Sequence, residues 1–398
     1  MVLTNESCNA CYQISLKLFS VKLNKKTSSI RVLHFILGKA NKNRPNGVNQ
    51  VIAGLAKYCV RHGCEVKMVG KSESVTTEGE LISRDGFSVL VFSRFNKAFR
   101  ISLYEAIEWA DVVHMHGVFN PWNLWVAHIC NRLKKPYVIT LHDGLAAERI
   151  QQSGKLKKKI FLYLFQKRHL ERASGIHVLT EEEATELLAF SKPSNIFCVP
   201  NGVDLEDYPS SKETRTVSSR EICIGYLGRL SPEKNIEALC MAFAATNADG
   251  NLKLKLAGPD SSYLQELLSK YGHYGVEWVG AKYGTEKVDF IHSIDLFVHP
   301  SLCDVFSIAA MEVLALGTPL LITRTAKTSY FYNRQAFFMC EPTTFGLERG
   351  LLDTLKRSSE WPSYSLRGRQ LIEDTFNWSA AAQQMINEYE RIIKLKKI

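Results

Sequence analysis

The segment from His299 to Thr323 combines two carboxylates with the pattern of a strand, a loop, a helix and a second strand. Asp304 lies in the loop and Glu312 lies inside the helix. In open α/β sheets, ligands bind where the chain leaves the carboxyl end of a parallel strand and enters a helix. The free N–H groups of that helix suit phosphate, whereas carboxylates accept hydrogen bonds from hydroxyl groups. The segment therefore predicts a nucleotide-sugar site in which the acids bind ribose or sugar hydroxyls.

Two cations follow a different apolar run, in GYLGRLSPEKN (Gly225–Asn235). The strand is expected to end at Gly228, with Arg229 in the loop and a helix beginning at Ser231. Lys234 would then lie in the first helical turn, where a cation disfavours the helix itself. Either both cations are solvated loop charges, or they face a diphosphate, for which Arg offers a planar fork and Lys a point charge. The two carboxylates of the His299–Thr323 segment favour the second alternative, in which both cations face a diphosphate.

Apolar runs alternate with amphipathic helices along most of the chain, which predicts parallel α/β sheets. The run of polar residues between positions 205 and 220 has the composition of a linker. Two sheets joined there imply a cleft between them, and small-molecule sites favour such interfaces. The apolar runs are IRVLHFILG, CEVKMVG, DVVHMHG, PYVITLHDG, GIHVLT and IFCVPNGVD before the linker, and ICIGYLGRL, LKLKLAGPD, VEWVGA, DLFVHP and PLLIT after it.

Bulk composition is that of a globular protein of two domains, with 398 residues, 45% hydrophobic residues and a net charge of +10. The charge fits nucleic acid, an anionic membrane or phosphorylated substrates and does not choose among them.

Ten cysteines without a framework of paired spacings favour a reducing compartment. No apolar run reaches the roughly 18–20 residues of a membrane span, and lysines interrupt the N-terminal apolar stretch. A cytoplasmic location is expected.

The motifs together resemble a known family. GxLGRLxxEKN is followed by S-x-x-D-x-F-x-x-x-x-x-E-x-x-A-x-G-x-P-L, and NGVD, LAGPD, WVG, DLFVHPS and FNWSAAAQQMINEYERI accompany them. This set is similar to the retaining glycosyltransferases of family 4 (glycosyl transferases group 1). The resemblance runs from about Ile30 to the C-terminus. It implies a glycosyltransferase of the GT-B fold, an α/β architecture of two doubly wound Rossmann-like domains that face each other across a cleft.

The resemblance also assigns the domains. Residues 1–29 would be an N-terminal extension, either a short amphipathic element or a start that adds little. Residues 30–204 would form the acceptor-binding domain and residues 205–376 the donor-binding domain. Residues 377–398 would form a helix that packs back toward the first domain.

For the donor, the resemblance implies four principal side chains. Arg229 and Lys234 would neutralise the diphosphate, Glu312 would bind the ribose hydroxyls, and Asp304 would bind hydroxyls of the transferred sugar. Asp304 stands where the family usually has glutamate, one methylene longer, which leaves the sugar open. No Asp-x-Asp motif is present, so we expect no metal and no other cofactor. A front-face substitution without a protein nucleophile, in which the leaving phosphate takes the acceptor proton, is the family's usual proposal.

Backbone groups complete the donor site implied by the resemblance. Phe306, Ser307 and Ile308 would contact phosphate or sugar, and Val279 would line the base pocket. Ser307 replaces a usual glycine. Asn46 replaces the first glycine of a loop at the first helix, and asparagine tolerates left-handed geometry better than most residues.

In the first domain, Gly47 would approach the phosphates and the acceptor, and His142 would face the reacting sugar or the β-phosphate. Asp143 either orients His142 or caps the next segment. His114 and His116 lie two residues apart and share one face of a strand. They could bind a metal, but without further ligands core packing or acceptor contact is favoured.

The segment Lys155–Arg168 carries six basic and no acidic residues around an apolar, aromatic middle. This composition is typical of a helix on an anionic membrane surface, although a core helix with a solvated basic face has it too. A transferase at the cytoplasmic face of the membrane would extend a glycan or lipid-linked acceptor, using a UDP- or GDP-sugar. This function belongs to the biosynthesis of cell-surface polysaccharide such as lipopolysaccharide, O-antigen or capsule.

Two other functions stay open from the sequence. A GT-B enzyme of another chemistry, such as a soluble sugar-phosphate glycoside synthase or a nucleotide-sugar epimerase, would show little membrane affinity. A basic nucleic-acid-binding protein is disfavoured, because the chain has no zinc finger and no interleaved aromatic and basic recognition motif.

Overall fold

Two parallel sheets with helices on both faces make up the computed structural model, which describes residues 29–36, 47–71, 80–142, 144–145, 165–209, 221–302, 304, 307–324 and 335–397. The first sheet contains β1 (Arg31–Ile36), β2 (Glu65–Lys71), β3 (Glu80–Arg84), β4 (Phe87–Phe92), β5 (Val112–His116), β6 (Tyr137–Thr140), β7 (Gly175–Val178) and β8 (Ile196–Cys198). The second contains β9 (Ile222–Leu227), β10 (Leu252–Ala257), β11 (Val276–Trp278), β12 (Leu296–His299), β13 (Leu320–Thr323) and β14 (Phe338–Cys340).

The helices follow the strands in alternation. They are α1 (Gly47–Arg61), α2 (Lys97–Trp109), α3 (Pro121–Arg132), α4 (Lys167–Glu171), α5 (Glu181–Phe190), α6 (Ile236–Thr246), α7 (Ser262–Tyr271), α8 (Gly284–Ser293), α9 (Ile308–Ala315), α10 (Thr344–Lys356), α11 (Trp361–Thr375) and α12 (Trp378–Lys397). No helix within these described residues is long and apolar enough to cross a membrane.

Both sheets are doubly wound. The first has the strand order β3-β4-β2-β1-β5-β6-β7-β8 and the second the order β11-β10-β9-β12-β13-β14. All pairs are parallel except β3 with β4, which form a hairpin at the edge of the first sheet. In each sheet the order reverses beside the first strand, β1 or β9, and ligands bind at such switch points. The GT-B architecture expected from the sequence is confirmed.

The central strands are buried on both faces, which explains why most of their residues are apolar. Every residue of β5, β6, β7, β12 and β13 is buried. Histidines and threonines interrupt the apolar run only in the last two or three residues of β5, β6, β7, β12 and β13. Polar groups therefore concentrate at the carboxyl edges of both sheets.

The last helix, α12, returns from the second half to pack on the first sheet. Its first residue, Trp378, lies directly against Gly54 of α1, where a Cβ would overlap the indole ring. Further along, the Tyr389 hydroxyl lies 2.6 Å from Nδ1 of His114 in β5. The chain crosses between the sheets at Val203, whose backbone pairs with Phe376 and Trp378.

One local prediction was wrong. A continuous helix was expected from Ser231, but residues Pro232–Lys234 form a single 3-10 turn and α6 begins at Ile236. Asn235 separates them with a left-handed backbone, φ 60°, a conformation that asparagine tolerates better than most residues. Lys234 therefore precedes the helix and does not oppose its dipole from within the first turn.

Several positions discussed from the sequence lie outside the described residues. They are the extension up to residue 28, Asn46, Asp143, Phe306 and most of the basic segment, residues 155–164.

Candidate active site

The carboxyl edges of the two sheets meet at the N-termini of two helices. Gly47 is the first residue of α1, and a Cβ built on it would lie 3.9 Å from Cγ1 of Ile308, the first residue of α9. Ile308 packs against the apolar core of each half. Two of the residues predicted for the site, one from each half, thus lie close together across the cleft.

Asp304 is held by two groups from the second sheet. Its Oδ2 accepts a hydrogen bond from Nζ of Lys234 at 2.7 Å and lies 2.9 Å from Nε2 of His299, the last residue of β12. The Lys234 and Asp304 side chains are only 14% and 19% exposed. A cation after β9 and an acid after β12 are brought together because those two strands are neighbours. The structure thus joins Lys234 and Asp304, which are 70 residues apart in the chain.

The environment keeps Asp304 ionised. Burial alone would raise its pKa, but the hydrogen bond with His299 and the charge of Lys234 outweigh burial and hold the pKa of Asp304 well below its usual range. Lys234 and Asp304 together therefore present an ion pair at neutral pH, with one carboxylate oxygen committed to both partners.

Glu312 is held as tightly, by partners that the sequence did not suggest. Its Oε1 accepts hydrogen bonds from Nζ of Lys287 in α8 at 2.6 Å and from the Tyr208 hydroxyl at 2.7 Å. The Lys287 and Glu312 side chains are 9% and 7% exposed. Both of these bonds go to Oε1, and among the described residues no side chain shares Oε2.

Arg229 stands apart from these two clusters. Its side chain is 66% exposed and its Nη1 pairs with Glu233 at 3.1 Å. Gly228, just before it, has φ 156°, and the Tyr226 hydroxyl donates to the carbonyl of Arg229 at 2.9 Å. The loop is therefore fixed by its backbone, whereas the guanidinium is in solvent and accessible to a ligand.

The remaining predicted backbone positions of the second half lie around α9 and β11. Ser307 is the N-cap of α9, where its Oγ accepts a hydrogen bond from the N–H of Ala310 at 3.2 Å. The N–H of Val279 is already used, because it donates to the carbonyl of Leu256 at 3.1 Å. A contact between Val279 and a base would therefore involve its carbonyl or side chain.

His142 ends a file of histidines at the edge of the first sheet. Its Nε2 lies 3.0 Å from Nδ1 of His116, and Nε2 of His116 lies 2.9 Å from Nδ1 of His34. His142 has a left-handed backbone, φ 49°, which is uncommon for a residue other than glycine. Such outliers persist only where the surroundings impose them, and they cluster at functional sites.

The same region contains His114 and His116, which the sequence raised as a possible metal pair, together with His34. Within the described residues, His34, His114 and His116 each offer a ring nitrogen, and these nitrogens lie within 4.8 Å of one another. His114 is hydrogen-bonded at Nδ1 to Tyr389 and at Nε2 to Thr140. Because both nitrogens of His116 are occupied too, a metal would have to break several of these bonds.

A small pocket lies next to this edge, between the strands and the helices α1 and α12. Its polar lining includes His116, His142 and His177, and its apolar lining includes Leu55 and Met385.

Sequence reasoning missed four side chains of these clusters: His34, Tyr208, Lys287 and His299. His299 and His34 had a usable signal, since each lies at or near the carboxyl end of a buried strand. Lys287 and Tyr208 had none, because a lysine inside a helix and a tyrosine before a linker are ordinary at the surface. Only the three-dimensional fold shows that both lie beside Glu312.

Two family models match the chain on either side of its linker. Residues 45–207 match Glycosyltransferase Family 4 and residues 207–341 match Glycosyl transferases group 1. A GDP-mannose-dependent alpha-mannosyltransferase of Corynebacterium glutamicum is 26% identical over 51% of this chain and 49% of its own length. A D-inositol 3-phosphate glycosyltransferase of Mycobacterium marinum is 24% identical over 71% of this chain and 64% of its own.

The chain spans about half of the length of the first of these relatives and about two thirds of the length of the second. Among solved structures, the sucrose-phosphate synthase of Thermosynechococcus elongatus superposes with a TM-score of 0.76 at 17% identity, covering 92% of this chain and 100% of that one. That likeness concerns the fold. With the two family models covering residues 45–341, the chain belongs to the family 4 (group 1) glycosyltransferases of the GT-B fold.

Proposed function

We propose that this protein transfers a sugar from a nucleotide-sugar donor, with retention of the anomeric configuration, to a glycan or lipid-linked acceptor of a cell-surface polysaccharide. The observation that carries the proposal is the pairing of cations and carboxylates at the carboxyl edge of the second sheet, where α9 begins beside Gly47 of the first half. In this arrangement cations are suited to the diphosphate of a sugar nucleotide and carboxylates are suited to its hydroxyl groups.

The cations are suited to the diphosphate. Lys234 is fixed by its bond to Asp304, and Arg229, five residues earlier in the chain, is exposed. As the sugar–phosphate bond breaks, negative charge develops on the leaving diphosphate, and fixed positive groups stabilise it. The N-terminus of α9, capped by Ser307, adds its dipole to the same field.

The carboxylates are suited to hydroxyl groups. Asp304 is ionised and held by Lys234 and His299, so it can accept a hydrogen bond from a hydroxyl of the transferred sugar without titrating. Glu312 retains Oε2 for the ribose. Because aspartate is shorter than glutamate, the sugar must approach Asp304 more closely or present a different hydroxyl.

The reaction that we infer is a front-face substitution. The bond between the anomeric carbon and the phosphate oxygen breaks, the acceptor oxygen bonds to that carbon from the same side, and the acceptor proton passes to the leaving phosphate oxygen. This step needs no protein nucleophile. We propose that it needs no metal either, since Lys234 and Arg229 supply positive charge; activity unchanged by EDTA would support this, and restoration by Mg²⁺ after chelation would contradict it.

A donor screen tests the proposed function. The melting temperature of the full chain would be measured with UDP-, GDP- and ADP-sugars, each beside its free sugar as a control. Stabilisation by one nucleotide class alone is expected, since a ligand that binds only the folded state raises its apparent stability. Absence of any shift would contradict the proposed function.

A second candidate has support from one relative, which by name acts on D-inositol 3-phosphate. In that case the acceptor would be a soluble sugar or inositol phosphate and the enzyme would need no membrane. Incubation of the protein with its donor and either a soluble phosphorylated acceptor or a lipid-linked glycan distinguishes the two.

A further inference from the structure

Three histidines form a single file that runs from the interior of the first sheet to His142. His34 lies in β1 and His116 in β5, and both are buried, with 0% and 5% exposed. Their bonds join Nδ1 of His34 to Nε2 of His116, and Nδ1 of His116 to Nε2 of His142. The strands β1 and β5 are neighbours, so the sheet itself sets the spacing of the file.

Two of the three rings are neutral. Burial lowers the pKa of His34 to about 3. Burial, together with the neighbouring histidines, also lowers the pKa of His116 far below its usual value. A neutral imidazole has one N–H and one lone pair. Each hydrogen bond of the file therefore joins one donor to one acceptor. The N–H groups of all the rings must then point the same way, either toward the interior or toward His142.

The buried end decides that direction. Nε2 of His34 is buried and has no hydrogen-bond partner within the described part of the chain. If the hydrogens pointed inward, this atom would be a buried N–H without an acceptor, which is rarer in proteins than an unused acceptor. If the hydrogens point outward, Nε2 of His34 has only an unused lone pair. The outward direction is therefore favoured: His34 donates to His116, and His116 donates to His142.

We propose that His34 and His116 are positioning residues that fix His142 in the tautomer with its hydrogen on Nδ1. In this state Nε2 of His142 is an acceptor that His116 already uses, so this nitrogen does not serve as a base. The left-handed backbone of His142 supports a position imposed by its neighbours. The part that His142 plays at the donor rests on the proposed function, in which it faces the donor sugar or its β-phosphate.

The tautomer can be observed directly. In the full-length protein labelled with ¹⁵N-histidine, long-range ¹H–¹⁵N correlation spectra distinguish Nδ1–H from Nε2–H rings. The signals of His142 are identified by their loss in His142→Asn, a residue that tolerates a left-handed backbone. We expect the Nδ1–H form in the unmodified protein; the Nε2–H form would overturn the proposal.

Two substitutions of His116 test the coupling. The amide of His116→Asn can reproduce the donor at Nδ1 and should keep His142 in the Nδ1–H form. His116→Phe removes the donor and should convert His142 to a mixture or to Nε2–H. A matched control is His169→Phe, because His169 is equally buried but stacks on Tyr137 outside the file. An unchanged His142 spectrum in His116→Phe would overturn the proposal.

Should His116→Phe fail to fold, His34→Phe tests the same link from the far end and is expected to mix the two forms of His142. Titration with Zn²⁺ provides an independent check, since saturation of His34, His114 and His116 by one equivalent would show a metal site and overturn the file.

Kinetics add a further readout: His116→Phe should lower kcat about tenfold with KM for the donor within about twofold, and His116→Asn should recover kcat. Because the spectra need no substrate, failure of the proposed function would leave the tautomer test intact.

Discussion

At the scale of single residues, each of the two site carboxylates is held by a lysine and by a second hydrogen-bonding side chain. Asp304 is 19% exposed and lies between Lys234 and His299, whereas Glu312 is 7% exposed and lies beside Lys287 and Tyr208. A charge withdrawn from water requires a partner of opposite sign. Each carboxylate is therefore stabilised by its lysine, and the contribution of each pair to stability can be measured separately.

Replacing Lys287 should destabilise the fold. In Lys287→Met, Glu312 is left as a buried charge without its cation, and breaking a buried pair costs about 3–5 kcal/mol. Chemical denaturation would measure the loss, and the double variant Lys287→Met/Glu312→Gln should recover much of it. The control is Lys253→Met, since Lys253 pairs with Glu221 at the surface, where the two side chains are 40% and 45% exposed. Equal stability of Lys287→Met and Lys253→Met would contradict the assigned pair.

The depressed pKa of Asp304 predicts how stability varies with pH. A carboxyl group whose pKa is lower in the folded than in the unfolded protein contributes its full stability above the unfolded value of about 3.9 and loses it as pH falls toward the folded value. The difference in unfolding free energy between the unmodified protein and Asp304→Asn should be constant above about pH 5 and shrink below about pH 4. A difference that instead grew on acidification would mean that Asp304 is not stabilised as its ion.

At the scale of elements, α12 ties the two halves together. It starts after the second half and packs along α1, so it fixes the helix whose N-terminus contacts Ile308. The contact is close at Gly54, where only a hydrogen atom fits beneath the Trp378 indole. The geometry of the cleft thus depends on a packing contact far from the chemistry.

Gly54→Ala should disturb this packing. Its methyl group would overlap Trp378, and overpacking of this kind costs about 1–3 kcal/mol. Denaturation of the variant and of Gly272→Ala would be compared, since Gly272 also has a helical backbone and no atom lies within 4 Å of its added Cβ. Gly272→Ala should be neutral or slightly stabilising. The packing of α12 would be in doubt if both variants behaved alike.

The sequence predicted most elements because their signals are local. Buried parallel strands appear as short apolar runs, and Gly63 or Gly117 marks where an element ends. The helix expected from Ser231 was the exception. Asn235 has a left-handed backbone that separates the 3-10 turn from α6, and nothing in the order of residues distinguishes that break from a continuous helix. Lys234 and Asp304 were predicted as one site from motifs, but Lys287 beside Glu312 needed the packing of α8 on α9.

At the scale of the whole molecule, the net charge of +10 and the basic segment bear on where the protein acts. Polybasic segments bind anionic membranes with about 1 kcal/mol for each lysine or arginine near the surface. A transferase with a lipid-linked acceptor would use such binding, whereas one with a soluble acceptor would not need it.

Liposome sedimentation measures this affinity. Binding to vesicles containing anionic lipid, absent with neutral vesicles and weakened by salt, is expected. Replacement of Lys157, Lys158 and Lys159 by glutamate should remove most of it. A matched control replaces Lys253, Lys255 and Lys270 of the second half in the same way. Equal binding by the two triple variants would contradict a membrane role for the segment.

Donor binding by single variants tests the central claim most directly. Isothermal titration of the nucleotide-sugar that stabilises the protein would be carried out on the unmodified chain, Lys234→Ala and Glu312→Ala, with Lys253→Ala as the control. Hydrogen bonds to charged groups contribute about 1.5–3 kcal/mol, so each of the two site variants should raise Kd at least about tenfold while the control stays unchanged. Near-unmodified Kd values in both Lys234→Ala and Glu312→Ala would show that the donor binds elsewhere.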